Sequence, residues 1–271
     1  LLVAGIRRVL IGAADPNPVG SGGADFLRSQ GVEVECGVAG RECLDNIADF
    51  LAWRNTDRPY VILKLAATLD GRIATGSGHS RWISGPDTLR RVHELRGQVQ
   101  AVLIGGNTFY QDNPQLDCRL EALSANGEPG NGVVPGQLLS AAAGGDDCCR
   151  KQPLAIIVTS RLPGNGADFK LLQQRPADVI CWTTTALAAG PRAEARRSLG
   201  AQVIGLEYRQ PERTAGQSAP AGRSGMGGRS GGSIGRRLDL ETALADLRRE
   251  RGVYHLLCEG GGKLGLALLE S

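Results

Sequence analysis

Short apolar runs alternate with amphipathic stretches along the chain, punctuated by glycine and proline. Residues 5–12 (Gly-Ile-Arg-Arg-Val-Leu-Ile-Gly) read as a short buried strand, and Asp15-Pro-Asn-Pro18 with Gly20-Ser-Gly-Gly23 reads as a bend. Residues 24–30 suit a short helix, residues 31–36 alternate as a strand, and residues 41–54 carry helical spacing at Leu44, Ile47, Phe50 and Leu51. This strand, helix, strand, helix piece is too short for a complete α/β domain, and residues 1–57 are expected to be the end of one.

A second unit starts at residue 58, after the link Asn55-Thr-Asp-Arg-Pro59. Residues 60–75 are expected to give a strand, a turn and a second strand, because Asp70-Gly71 is a strong turn signal. Residues 86–96 predict a helix with Pro86 in its first turn and Leu89, Val92 and Leu95 on one face. A buried strand over 99–105 follows, ending in Gly105-Gly-Asn-Thr108, and then a short turn or helix over 109–114. Further strands are predicted at 154–159, 178–183, 201–206 and 253–259, and helical segments at 169–174, 191–199, 239–249 and 264–269. Alternation of this kind argues for a mainly parallel α/β sheet flanked by helices. Residues 126–151 and 207–237, rich in Gly, Ala, Pro, Ser and Arg, break the rhythm and read as low-complexity insertions.

Composition refines this picture only slightly. With 271 residues and 41% hydrophobic side chains the chain can bury a sizeable core, and a net charge of +3 gives no argument for a nucleic-acid or membrane partner. No run is long enough to span a bilayer. The seven cysteines, Cys36, Cys43, Cys118, Cys148, Cys149, Cys181 and Cys258, contain no Cys-x-x-Cys and read as free thiols in a reducing compartment. The chain starts at Leu1 and its only methionine is Met226, so it is expected to be a fragment.

Candidate chemistry centres on Lys64-Leu-Ala-Ala-Thr-Leu-Asp-Gly-Arg72, which continues the apolar run Tyr60-Val-Ile-Leu63. An ammonium buried there without an anion is costly, so Lys64 either runs to a sheet edge or faces a site that holds carboxylate or phosphate. Glu259-Gly-Gly-Gly-Lys-Leu-Gly265 follows a strand and opens a helix, and Gly260, Gly262 and Gly265 formally satisfy a phosphate-binding glycine spacing. The match lacks the rest of a dinucleotide fingerprint, and a glycine-rich tight turn before a helix stands as an equal reading. Gly105-Gly-Asn-Thr108 ends another strand in the same manner, and two such strand ends suggest a cofactor crevice. Arg96 and Arg119 could grip a phosphate or could be solvated charges, and Trp82 could wall a flat ring or be partly buried in the core. His79, His93 and His255 are not spaced as zinc ligands, and nothing in the sequence suggests covalent catalysis.

Taken together, Lys64–Arg72, Ser80-Arg-Trp-Ile-Ser84, Arg96, Gly105-Gly-Asn-Thr-Phe-Tyr-Gln-Asp-Asn-Pro114 and Glu259-Gly-Gly-Gly262 resemble the reductase domain of the bifunctional riboflavin-biosynthesis deaminase/reductase family. Residues 5–59, with Asp15-Pro-Asn-Pro18, resemble the tail of that family's deaminase domain. The resemblance implies a dihydrofolate-reductase-like α/β fold over 58–271, preceded by a partial cytidine-deaminase-like domain over 1–57. It implies NADPH-dependent reduction of the ribosyl group of 5-amino-6-(5-phosphoribosylamino)uracil to ribityl. Position by position, it sets Ala66, Trp82, Thr108, Asp112, Ser160 and the loop Gly261, Gly262, Lys263, Leu264 and Gly265 against NADPH. Ser80, Arg96, Leu116, Arg119 and Glu259 would hold the substrate, and Lys64 and Glu259 would be the polar groups nearest the reacting carbon.

The chain also departs from the family. The His-x-Glu and Pro-Cys-x-x-Cys zinc signature of the deaminase is absent from residues 1–271, so neither deamination nor zinc is expected of this chain, and zinc would belong to an upstream deaminase part. Thr159 stands before Ser160 where the family commonly has Asp, and the reductase domain is expected to lack its last strands after Ser271. The Gly/Ser/Arg insertions hint at a plant or algal version in the plastid stroma, with a bacterial cytoplasmic protein as the alternative. A homo-oligomer binding a small molecule, with no nucleic acid and no membrane, is the expected state. Two rival readings stand beside this one: a degenerate homologue that binds NADPH or a partner without turnover, and RNA binding through the Arg/Gly segment.

Overall fold

The computed structural model of the protein describes residues 1–76, 80, 83–119, 152–164, 168–209 and 237–270. A two-stranded parallel sheet pairs β1 (Arg8–Ile11) with β2 (Glu33–Cys36). Around it lie α1 (Gly23–Ser29), α2 (Gly40–Asn46) and α3 (Ala48–Asn55). A six-stranded sheet then has the order β3-β8-β4-β5-β6-β7. Its strands are β3 (Tyr60–Leu63), β4 (Ala101–Gly105), β5 (Leu154–Val158), β6 (Val179–Thr184), β7 (Gln202–Leu206) and β8 (His255–Cys258). The helices between them are α4 (Pro86–Gln98), α5 (Gly106–Asp112), α6 (Lys170–Gln174), α7 (Thr185–Ala188), α8 (Pro191–Arg197), α9 (Leu240–Arg251) and α10 (Gly262–Leu269). The β3–β8, β4–β8 and β6–β7 pairs are all parallel, as the alternation of strands and helices predicts.

The central strands are buried on both faces, as strands of a parallel sheet must be. Ala101, Val102, Leu103 and Ile104 of β4 and Leu256, Leu257 and Cys258 of β8 are fully buried. The chain divides into two compact units, one of residues 1–103, 115–155 and 244–260, the other of residues 104–114, 156–243 and 261–271.

In the first unit, α3 is fastened to the segment that enters β8. The Trp53 indole Nε1 donates to the Tyr254 carbonyl at 2.8 Å, and its ring meets Tyr254 and His255 edge-on at 5.3 and 4.7 Å. Arg248 of α9 donates to the carbonyls of Trp53 at 2.8 Å, Arg58 at 3.2 Å, and Thr56. Beneath them the buried side chains of Asp49 and His255 meet, with Oδ2 and Nε2 3.1 Å apart.

Two local expectations fail in this unit. Residues 41–54 are not one helix: α2 and α3 are separated at Ile47, whose φ of −114° and ψ of 21° leave the helical region. No second strand follows Asp70-Gly71 among the described residues. Instead Thr68 N donates to Arg72 O at 2.9 Å and Gly71, with a φ of 77°, donates to Thr68 O at 2.8 Å, a turn satisfied within itself. The Asp70 carboxyl is held below its ordinary value by the Thr68 hydroxyl, 2.5 Å away, and by Arg72, which gives it a local role in the turn. In α4, Val92 and His93 are buried whereas Leu89 is exposed, so the buried face is turned from the Leu89–Val92–Leu95 line.

In the second unit, β5 leads into a loop organised by Thr159. Its hydroxyl donates to Arg161 O at 2.7 Å and accepts from Arg161 N at 3.1 Å, while Tyr110 also donates to Arg161 O at 2.7 Å. Further on, an antiparallel bridge joins Tyr208 to Leu238, with Arg209 N donating to Arg237 O and Asp239 N to Glu207 O, both at 2.8 Å. The insertion expected at 126–151, most of that at 207–237, and Trp82 lie outside the described residues.

Candidate active site

The register Leu63↔Cys258 makes Lys64 and Glu259 the next pair beyond the ends of two adjacent parallel strands. Lys64 N donates to Cys258 O and Glu259 N to Leu103 O, each at 2.9 Å, so both backbones are fixed by the sheet. The Glu259 carboxylate is 9% exposed and is gripped by Arg96 of α4, Nε to Oε1 at 2.6 Å and Nη2 to Oε2 at 3.0 Å. Lys64 Nζ stands 3.9 Å from Oε2, with 28% of its side chain exposed. Two cations around one carboxylate answer the question the sequence leaves open for Lys64: its anion is Glu259. A bidentate guanidinium grip fixes the carboxylate plane as well as its position.

Beside this cluster runs a strap of residues 115–119, in the same unit. Leu116 is 2% exposed and adopts a φ of 53°, a strained value for leucine, which the surrounding bonds must hold. Gln152 clasps Cys118 on both sides, accepting from its N–H at 2.7 Å and donating to its carbonyl at 3.1 Å. Arg96 Nη1 donates to Asp117 O at 3.2 Å, and the His93 Nδ1 lies 3.1 Å from the same carbonyl and 3.2 Å from Arg119 N. The Arg119 side chain pairs with Asp117 Oδ1 at 3.4 Å and donates to Gln115 Oε1. Arg96 is therefore occupied by protein groups, and Arg119 is the more exposed arginine of the two. Ser80 is exposed and Ala66 half-buried. Burial pushes the Cys258 thiol up, so it is not a nucleophile beside Glu259.

The second unit holds the other residues singled out by sequence. Thr108 and Asp112 lie on α5, both half-buried, and Ser160 is exposed on the loop after β5. A Cβ on Gly106 would lie 2.5 Å from Thr159 Oγ1, so the glycine permits this close packing. Helix α10 starts with Gly261 at its N-cap, and a Cβ there would meet nothing within 4 Å. Open space beside the start of a helix suits a phosphate. Leu264 and Gly265 are buried, so within the 261–265 loop the glycines and Lys263 are the part open to a ligand. Cys181, buried in β6, has its thiol pushed up to about 12 and is inert.

Lys64, Arg96 and Glu259, each singled out by sequence, lie together, and beside them His93 and Gln152, not singled out for this site, hold the backbone of the 115–119 strap. No motif spans residues 93, 117 and 152, so the sequence carries no signal that joins them. Among the described residues no group of three His, Cys, Asp or Glu side chains could hold a metal ion, and no helix is long and apolar enough to cross a membrane.

A mixed, mainly parallel α/β sheet with a carboxylate–cation cluster at its strand ends and a glycine-rich helix start defines a domain of the dihydrofolate-reductase-like class. Residues 59–271 match the family model of the RibD C-terminal domain, and the chain belongs to that family. The riboflavin biosynthesis protein RibD of Actinobacillus pleuropneumoniae is 32% identical over 274 aligned positions, covering 100% of this chain and 58% of that protein. The chloroplastic riboflavin biosynthesis protein PYRR of Arabidopsis thaliana is 42% identical over 130 positions, 44% of this chain and 22% of that protein. Among solved structures, the deaminase/reductase of Thermotoga maritima has a TM-score of 0.56 at 27% identity, covering 99% of this chain and 58% of that one. RibD of Acinetobacter baumannii gives 0.55 at 26%, with 99% and 59% covered. The chain thus spans about three-fifths of these relatives' length where the likeness runs end to end.

Proposed function

We propose that this chain is the reductase of the riboflavin pathway, reducing the ribosyl group of 5-amino-6-(5-phosphoribosylamino)uracil to ribityl with NADPH. The observation that carries this reading is the Lys64–Glu259–Arg96 cluster, a buried carboxylate fixed by two cations at the carboxyl ends of adjacent parallel strands, where open α/β sheets bind their ligands. The names of the relatives supply the reaction, and the cluster supplies groups suited to it.

NADPH would be held by Ala66, Trp82, Thr108, Asp112 and Ser160 and by the stretch Gly261 to Gly265. The open space at Gly261 and the eight-residue helix it caps fit a phosphate-bearing cofactor. The cofactor supplies the hydride. Lys64 and Glu259 lie nearest the reacting carbon in this reading, where the ammonium of Lys64 gives the proton that the sugar ring oxygen needs as the ring opens. Arg96 keeps the Glu259 carboxylate in place. Ser80, Leu116 and Arg119 hold the substrate, with its phosphate on Arg119. Residues 1–57 are the remnant of a deaminase-like domain, and the plastid stroma is the compartment the PYRR relative favours.

The test is NADPH oxidation by the full chain with the aminouracil phosphate. Substrate-dependent oxidation is expected. Tight NADPH binding without oxidation would instead make the chain a degenerate homologue.

A further inference from the structure

Resting on the reading of Arg119 as the holder of the substrate phosphate, we propose that His93 is a positioning residue: its neutral imidazole sets the strap that carries Arg119, and its protonation releases that strap.

The argument begins with one nitrogen between two backbone groups. His93 Nδ1 lies 3.2 Å from Arg119 N and 3.1 Å from Asp117 O. An N–H can only donate and a carbonyl can only accept, so Nδ1 serves one or the other according to its protonation. With a lone pair on Nδ1 the ring accepts from Arg119 N–H, and the Asp117 carbonyl is served by Arg96 Nη1 at 3.2 Å. With a proton on Nδ1 the ring becomes a donor, turns to Asp117 O in competition with Arg96, and leaves Arg119 N–H without its acceptor. The same helix residue grips the strap a second time, since the Cys118 thiol donates to His93 O at 3.3 Å.

The charges around the ring decide which state prevails. Arg96 faces it from α4, and Arg119 and Asp117 face it from the strap, with Glu259 neutralising Arg96 from the end of β8. The ring is 8% exposed. Burial first, then Arg96 and Arg119, hold the imidazole below its ordinary value against the opposite pull of Asp117. The neutral ring in its Nε2–H tautomer keeps the Nδ1 lone pair for Arg119 N–H, so the strap is set at neutral pH and released as the pH falls below the ordinary histidine value.

The experiment compares the wild-type chain with His93→Asn and His93→Leu between about pH 8 and about pH 5.5, a span that brackets histidine titration. Asparagine offers Oδ1 near the position of Nδ1 and does not titrate, while leucine removes the acceptor. The readouts are KM and kcat for the aminouracil phosphate and, independently of turnover, the affinity for ribose 5-phosphate by calorimetry. In the wild type, KM should rise in acid more steeply than in His93→Asn, with kcat moving less. The residual slope of His93→Asn belongs to the substrate's own phosphate. In His93→Leu, KM should be up to about tenfold above that of the wild type at about pH 8, the size of one lost hydrogen bond, and the gap should narrow in acid as the wild-type ring is protonated. The proposal is overturned if His93→Asn keeps the wild-type acid rise, or if His93→Leu matches the wild type in both KM and ribose 5-phosphate affinity. Should His93→Leu fail to fold, the wild type against His93→Asn decides. A chain that oxidises no NADPH but shows this pH pattern for ribose 5-phosphate refutes the reductase reading and sustains the role of His93. Absence of ribose 5-phosphate binding refutes the role of His93.

Discussion

Glu259 is paired with Arg96 and lies beside Lys64. Removing it leaves the Arg96 guanidinium, 12% exposed, and the Lys64 ammonium uncompensated, a change that in buried pairs costs about 3–5 kcal/mol. Glu259→Gln and Lys64→Ala should each lower kcat/KM for the aminouracil phosphate by at least about a hundredfold, the usual scale of a lost proton-transfer group. If both variants turned over normally, neither residue would be near the reacting carbon. Gly106→Ala is a different kind of change. Its new methyl would sit 2.5 Å from Thr159 Oγ1 and 2.9 Å from Thr159 Cβ, an overpacking worth about 1–3 kcal/mol, to be read as a lower melting temperature. The Thr159 hydroxyl makes two bonds that close the loop at Arg161.

At the scale of elements, β8 links two buried polar groups, His255 at its start and Glu259 just beyond its end. His255 is held below its ordinary value, chiefly by burial and despite the opposing pull of Asp49. The folded state therefore prefers the neutral ring. That preference contributes fully above the ordinary value of 6.5, and stability falls as the pH drops below it towards the folded-state value. His93 adds a loss of the same sign. Chemical denaturation at about pH 7.5 and about pH 5.5 should show this acid loss, on either side of a histidine's ordinary value. Asp49→Asn should deepen it, because the aspartate is what holds the His255 value up. Undiminished stability at the lower pH would mean that the ring stays solvated.

These elements differ in how openly the sequence declares them. Pro86 and Pro191 mark helix starts because their missing N–H and fixed φ suit the first turn, and both helices are found there. The break at Ile47 carries no glycine or proline, so the periodicity runs through it unmarked. The Asp70-Gly71 turn is real, but Thr68 and Arg72 satisfy it locally, and nothing in the pattern separates a closed turn from a hairpin. Lys64, Arg96 and Glu259 were legible from the family motifs. His93 and Gln152 were not, since each acts on the backbone of a distant strap and backbone partners leave no mark in side-chain spacing.

For the molecule as a whole, the residues that flank the second low-complexity stretch are joined to each other. The Tyr208–Leu238 bridge brings the two ends of residues 210–236 together. Replacing those residues with a short Gly/Ser turn should leave NADPH oxidation unchanged and the melting temperature within a few degrees, because loop-closure entropy varies only slowly with length. Lost activity would give the segment a catalytic part, and retention of RNA by the parent chain but not the shortened one would favour the RNA-binding reading. Removing residues 1–57 is a harsher change. It would strip the Trp53 and Asp49 partners from Tyr254 and His255 and take from Arg248 two of its three carbonyl acceptors, those of Trp53 and Thr56, and the shortened chain should unfold at a lower temperature.

The same bridge bears on use. A stretch whose flanking residues are clasped can be lengthened or shortened at little cost to the framework. For the same reason it is the place in this protein to graft an epitope or a fluorescent reporter, or to open new termini by circular permutation.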